Sequence, residues 1–200
     1  MKKFIAIISA SILMISSASA FSETPTSEQT NKWRKDAALE KPYALHNIGL
    51  MYYKGDVVKL DYEESVKWFR MAAVQGDADS QDNMGDAYSN GRGVKQDYVE
   101  AARWYRLSAE GGYSRGQNNL GNAYFDGKGV PLNYEEALKW YRLAAAQGLE
   151  MSQYKLGTIY SEGRGVVRNM ATAMRWFHKA CDNGDPRGCV EYQKLKESGY

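Results

Sequence analysis

The chain has 200 residues, with 26 basic against 24 acidic side chains, two histidines and two cysteines. This near balance gives no bulk attraction for nucleic acid or anionic lipid, and no block of like charge creates one locally. Nucleic-acid binding is therefore not expected.

At the N-terminus, Lys2 and Lys3 precede a largely apolar stretch from Phe4 to Ile15, and Ala18-Ser19-Ala20 follows as a small-x-small site. The pattern predicts a secretory signal peptide over residues 1–20, too short to be a membrane anchor. A buried N-terminal helix is the alternative, and the small-residue run fits it poorly. The residue directly after the cleavage site is Phe21, not cysteine, so lipid attachment there is not supported. Cleavage before Phe21 removes two of the 26 basic residues and leaves 24 against 24. The mature chain is expected in the periplasm or outside the cell, with no membrane insertion after cleavage.

Residues 21–40 begin polar and contain Pro25. Ser/Thr caps ahead of Glu28 and Gln29 predict a helix starting among Thr24 to Ser27 and running through Trp33 towards Leu39. Trp33, Arg34 and Ala37 fall one period before Phe69, Arg70 and Ala73, which makes this segment a degenerate half-repeat capping the first full unit.

From Lys41 to Gly184 one pattern recurs four times at a spacing of 36 residues. Trp68, Trp104, Trp140 and Trp176 form one column. Four others are Gly49, Gly85, Gly121 and Gly157; Tyr52, Tyr88, Tyr124 and Tyr160; Gly55, Gly91, Gly127 and Gly163; and Gly76, Gly112, Gly148 and Gly184. A period of this size predicts a solenoid whose units bury their apolar faces against their neighbours. The units are 41–76, 77–112, 113–148 and 149–184, followed over 185–200 by a capping helix from Arg187 to about Glu197.

The second unit shows the physics. Ser80, Met84, Gly85 and Tyr88 recur at helical spacing and place small or apolar residues on one face of a first helix. A glycine inside a helix costs about 1 kcal/mol relative to alanine, so Gly85 and its equivalents imply close approach of a partner helix. Gly91 ends the helix in the left-handed conformation, and Asp97 caps the next. Tyr98, Ala101, Ala102, Tyr105 and Ala109 then form an amphipathic stripe, and Gly111-Gly112 turns into the following unit. Each unit is predicted to be an antiparallel helix pair.

The runs YSNGRGV…DYVEAARWYRLSAEGG, YFDGKGV…NYEEALKWYRLAAAQG and YSEGRGV…NMATAMRWFHKACDNG resemble Sel1-like repeats, relatives of the tetratricopeptide repeat. The first unit departs in lacking the second loop glycine (Val57), and the fourth carries Met170 where the others have Tyr62, Tyr98 and Tyr134. The resemblance implies an all-α, right-handed α-solenoid. It also implies an adaptor that binds a protein or peptide on a concave surface.

Cys181 shares a column with Ala73, Ala109 and Ala145, and Cys189 one with Gln81 and Gln117. A turn at Asn183-Gly184-Asp185-Pro186 lets them face each other across a helix hairpin. Export to an oxidising compartment favours a disulfide, and the Cys-x7-Cys spacing resembles that of cysteine-rich secreted Sel1-like proteins. Two buried free thiols or a redox pair are the alternatives.

His46 and His178 fall in different columns with no ligand set around them, so neither a metal nor another cofactor is expected. The Gly-x-Gly loops follow helices rather than strands and read as turns, not phosphate cradles. Ser152-Gln153-Tyr154-Lys155 matches the Ser-x-x-Lys of penicillin-binding proteins and β-lactamases, and some cysteine-rich Sel1-like proteins have been linked to β-lactams. The accompanying Lys-Thr-Gly and Ser-Asp-Asn motifs are absent, and Ser152 sits where a small packing residue is wanted.

The remaining surface is the other side of the first helices. Asp82, Asn83, Asp86, Asn118, Asn119 and Asn122, bordered by Phe125 and Tyr154, are the expected partner-binding residues. An amide column (Asn47, Asn83, Asn119, ending in Lys155) offers donors and acceptors to a peptide backbone, and aromatics commonly anchor interfaces. A solvated helix face is the competing reading. The expected function is a non-catalytic exported adaptor. A β-lactam-acting enzyme and an immunity or inhibitor protein, directed against an exported toxin or cell-wall hydrolase, are the rivals.

Overall fold

The computed structural model describes residues 25–55 and 58–200. The expected signal peptide and the loop position of Val57 lie outside the described residues. Among the described residues there are ten α-helices and no strand. They form two compact units, divided between Gln96 and Asp97. The first holds α1 (Pro25–Ala38), α2 (Pro42–Lys54), α3 (Tyr62–Ala73) and α4 (Ala78–Asn90). The second holds α5 (Tyr98–Glu110), α6 (Ser114–Asp126), α7 (Tyr134–Ala146), α8 (Glu150–Glu162), α9 (Met170–Asp182) and α10 (Pro186–Glu197).

The helix ends follow the side chains expected to make them. Asp61, Asp97, Asn133 and Asn169 each accept a backbone N–H of the second helix of their pair, meeting one of the unpaired donors of the first turn. Gly55, Gly91, Gly127 and Gly163 close the first helices at φ between 67° and 75°, the left-handed conformation that glycine adopts without strain.

The helical glycines are explained by the rings that cover them. A Cβ on Gly49 would lie 2.6 Å from the ring of Phe69; on Gly121, 2.8 Å from Tyr141; on Gly157, 2.5 Å from Phe177. The aromatic of the second helix thus seats directly on the backbone of the first. A second contact recurs further out: Arg70 donates to the Tyr88 hydroxyl (2.8 Å), Arg106 to Tyr124 (2.6 Å) and Arg142 to Tyr160 (2.9 Å). Each joins the second helix of one repeat to the first helix of the next and accounts for the tyrosine column.

In the first unit the core gathers Ala37, Ala44, Leu45, Ile48, Trp68 and Ala72, with Trp33, Tyr52 and Met71 packed against it. Helix α1 therefore shares the core of the first full repeat, as the register of Trp33 and Ala37 predicts. In the second unit Ala137, Leu138, Tyr141, Ala145, Leu156 and Ile159 form a core, flanked by Tyr124, Phe125, Val166 and Trp176.

Candidate functional site

The first helices carry the expected binding residues, and their burial corrects part of that expectation. Asp82 is fully buried and Asn118 is 5% exposed. Within each unit this column reaches the next first helix, through His46 in the first unit and Asn118 in the second. His46 Nδ1 lies 2.9 Å from Ser80 Oγ, and Ser152 Oγ donates to Asn118 Oδ1 at 2.9 Å. Burial of short polar helices on more than one side is the reason: inside each unit, polar side chains serve as helix-to-helix contacts.

The asparagine column is also engaged. Asn47 Nδ2 donates to Tyr43 O at 2.7 Å, and Asn83 Nδ2 to Asp79 O at 3.0 Å, each to the residue four before it on the same helix. Asn118 Nδ2 donates to Asn119 Oδ1 at 3.3 Å, and Asn122 Oδ1 accepts from the Tyr141 hydroxyl at 2.8 Å. Burial pushes that phenol well above its ordinary pKa, so it stays a donor. Amide groups turned onto their own helix do not form an outward ladder. Asp86 is half-buried on α4.

A different amide ladder, unforeseen, holds the repeats together. Gln81 Nε2 donates to Ala73 O at 3.0 Å, Gln117 Nε2 to Ala109 O at 3.3 Å and Gln153 Nε2 to Ala145 O at 3.2 Å. In the second unit the ladder extends: Gln147 donates to Gln117 Oε1 and Asn183 to Gln153 Oε1, both at 2.9 Å. At the next equivalent position the same two columns hold Cys189 and Cys181, whose sulfurs are 1.98 Å apart with Cα atoms 4.5 Å apart. The signal was a glutamine every 36 residues, in columns that a polar-equals-exposed reading passes over.

The two expected aromatics of the second unit lie among rings and cations. Phe125 is half-buried, edge-on to Tyr134 at 5.3 Å and to Tyr141 at 6.4 Å between centroids. Lys155 Nζ and the Arg164 guanidinium lie 5.7 and 5.3 Å from its ring. Tyr154, also half-buried, stacks near Phe177 and under Arg187, 4.5 Å from the guanidinium. Arg187 in turn grips Asp185 at 2.7 and 3.0 Å, and its hydrogen bonds hold that carboxyl below the usual carboxylate range. The Asn118, Asn119, Asn122, Phe125 and Tyr154 positions thus lie on α6 and α8 of one unit, whereas Asp82, Asn83 and Asp86 lie on α4 of the other.

Ser152 is fully buried and hydrogen-bonded to Asn118, while Lys155 reaches towards Phe125. This is the small-residue packing role expected of its column. Among the described residues no group of three or more His, Cys, Asp or Glu side chains is arranged to hold a metal, and no helix is long and apolar enough to cross a membrane.

The repeats match the family model described as Sel1 repeat at residues 42–77, 78–113, 114–149 and 151–185. Among solved structures, the chain is similar to a protective antigen of uropathogenic Escherichia coli strains displaying an SLR fold. That match has 35% identity, a TM-score of 0.80, and covers 85% of this chain but 36% of the antigen. It is also similar to a Sel1 repeat protein of Oxalobacter formigenes, at 33% identity and a TM-score of 0.72, over 78% of this chain and 64% of that one. The chain thus spans under two thirds of either relative's length. An immunity protein of Pseudomonas aeruginosa shares the fold at 16% identity, with a TM-score of 0.57 and coverage of 95% and 78%. No curated protein matches the chain. Four matched repeats, glycine-seated aromatics and capped helix pairs give one conclusion: the chain belongs to the Sel1-repeat family.

Proposed function

We propose that the chain is an exported adaptor that holds a protein or peptide partner against the first-helix face of its second unit. The observation that carries this reading is the half-exposed pair Phe125 and Tyr154, bordered by Lys155. Amphipathic rings beside a cation supply the apolar contact and the polar orientation that interface anchors combine. Asn119 and Asn122 flank them on α6; Asn83 and Asp86, on α4, are proposed contacts of the first unit taken by itself. The buried Asp82 and Asn118 would act by positioning their helices. The disulfide and the N-terminal pattern Lys2 to Ala20 support export. In an exported chain we expect Cys181 and Cys189 to be oxidised.

The test is capture of partners from envelope extract by wild-type protein and by a Phe125→Ser, Lys155→Glu variant. Serine is the residue that the second and fourth repeats carry in the Phe125 column, as Ser89 and Ser161, so the variant should fold with a matched thermal melt. Loss of a captured protein supports the reading; equal recovery moves the site off this face. N-terminal sequencing of the envelope form should begin at Phe21. A binding rather than catalytic role predicts that purified protein shows no β-lactam hydrolysis sensitive to Ser152→Ala.

A further inference from the structure

Each helix-closing glycine at positions 91, 127 and 163 is followed by a cation that lies on aromatic rings. Arg92 stacks on Tyr53 and Tyr62, at 5.7 and 5.5 Å from their centroids, and donates to the Tyr53 hydroxyl. Lys128 lies 5.8 Å from Tyr98. Arg164 lies 5.3 Å from Phe125. The Arg92 and Arg164 clusters are copies of each other, offset by two repeats. Tyr53 meets Tyr62 edge-on at 5.4 Å and Phe69 at 6.4 Å, as Phe125 meets Tyr134 at 5.3 Å and Tyr141 at 6.4 Å.

Besides the exchanges of ring type and of Asn83 for Lys155, the copies differ in the group two residues before the cation. Glu162 pairs with Arg164 Nε at 2.5 Å, and Asp126 lies 3.9 Å from Lys128. The corresponding residue before Arg92 is Asn90, whose Nδ2 donates back to Asp86 O at 2.9 Å. Among the described residues no carboxylate pairs with Arg92. Its guanidinium is exposed, yet held in place by two rings and a hydroxyl. A planar fork fixed in this way has little side-chain entropy left to lose and is shaped for a carboxylate.

We infer that Arg92, seated on Tyr53 and Tyr62, is a docking point for a carboxylate supplied by an acidic peptide segment of the partner. The site does from outside what Glu162 does internally for Arg164. This inference rests on the partner-binding reading above and adds the chemistry of what is bound.

The experiment uses the whole mature chain and a fluorescent ten-residue glutamate-rich peptide, titrated at low salt, with the glutamine peptide as control. Wild-type protein should bind the glutamate peptide and not the glutamine one. Arg92→Gln should weaken binding tenfold or more. Arg92→Lys should weaken it several-fold, because the charge stays and the fork is lost. Asn90→Glu should silence the site as fully as Arg92→Gln by supplying the internal carboxylate. Glu162→Asn should add a second site at Arg164. Arg103→Gln, removing an exposed arginine already paired with Glu100, should change nothing. Free and amidated C-termini separate a terminal carboxylate from side-chain ones. Absence of binding to wild type, or binding unchanged in both Arg92→Gln and Asn90→Glu, overturns the inference. Peptide binding that survives the Phe125→Ser, Lys155→Glu change while partner capture is lost separates this site from the face proposed above.

Discussion

Two junctions in the second unit use the same pair of columns in different ways. Where α8 packs on α7, Gln153 reaches the Ala145 carbonyl through a hydrogen bond and accepts another from Asn183. Where α10 packs on α9, the equivalent positions are Cys189 and Cys181, joined covalently. A glutamine links backwards with its N–H and forwards with its oxygen, so it suits a repeat with a neighbour on each side. A cystine makes one link only, and a firmer one. The difference shows that an amide relay holds the stack together, and that a bond takes its place where the relay stops.

The largest expected effect comes from removing that bond. Cys181→Ser with Cys189→Ser, or reduction, should cost about 2–3 kcal/mol, the cross-link value for so short a loop. Hydrogen exchange should show α10 losing protection first. A melt unchanged by reductant would mean that packing alone holds α10.

Gly157→Ala tests the seat that joins α8 to α9, between the two junctions. A Cβ there would lie 2.5 Å from the Phe177 ring, and overpacking of this kind costs about 2 kcal/mol. The variant's denaturation midpoint should fall accordingly, with and without the disulfide.

Gln153→Ala should cost about 1 kcal/mol, since it leaves the Asn183 amide without its acceptor and the Ala145 carbonyl with only its bond from Gly148 N. Ala145→Cys with Gln153→Cys sharpens the comparison by copying the α9–α10 link one repeat earlier. Mass spectrometry of the unreduced double variant should find the two new thiols joined.

The smallest effect is acid dependence. Arg187 holds the Asp185 carboxyl below the ordinary carboxylate range. A depressed native pKa contributes stability that is fully present above the unfolded value and is lost as pH falls through the native one. In the cysteine-free variant the melt of α10 should therefore drop below about pH 4, and Asp185→Asn should flatten that slope.

The repeat, the caps and α1 were legible because each depends on residue types that serve one purpose: glycine at positive φ, aspartate or asparagine at a helix start, tryptophan at a fixed spacing. The candidate face was legible only in part. Reading Asp82 and Asn118 as outward treats polar as exposed, and that fails for a helix packed on both sides, where Ser80, Gln81, Ser152 and Gln153 are buried as well. Their hydrogen bonds cross between helices, so no single helical period reveals them. The Arg92 and Arg164 clusters were hidden for another reason. Tyr53 and Phe125 alternate with Ser89 and Ser161, a pattern visible only when repeats are compared in pairs.

The Cys181–Cys189 bond also has a mechanical meaning. Because it spans eight positions, a pull from the C-terminal side bypasses the residues between the cysteines and bears directly on α9. That hides about 27 Å of extensible chain, at ~3.4 Å per residue. Under tension the start of α10 cannot part from Cys181, so unravelling that comes in past Glu197 stops at Cys189 and the next junction to give is the one held by the Gln153 amide. A polypeptide expected to work outside the cell is thus guarded where a tug on the C-terminal side first arrives.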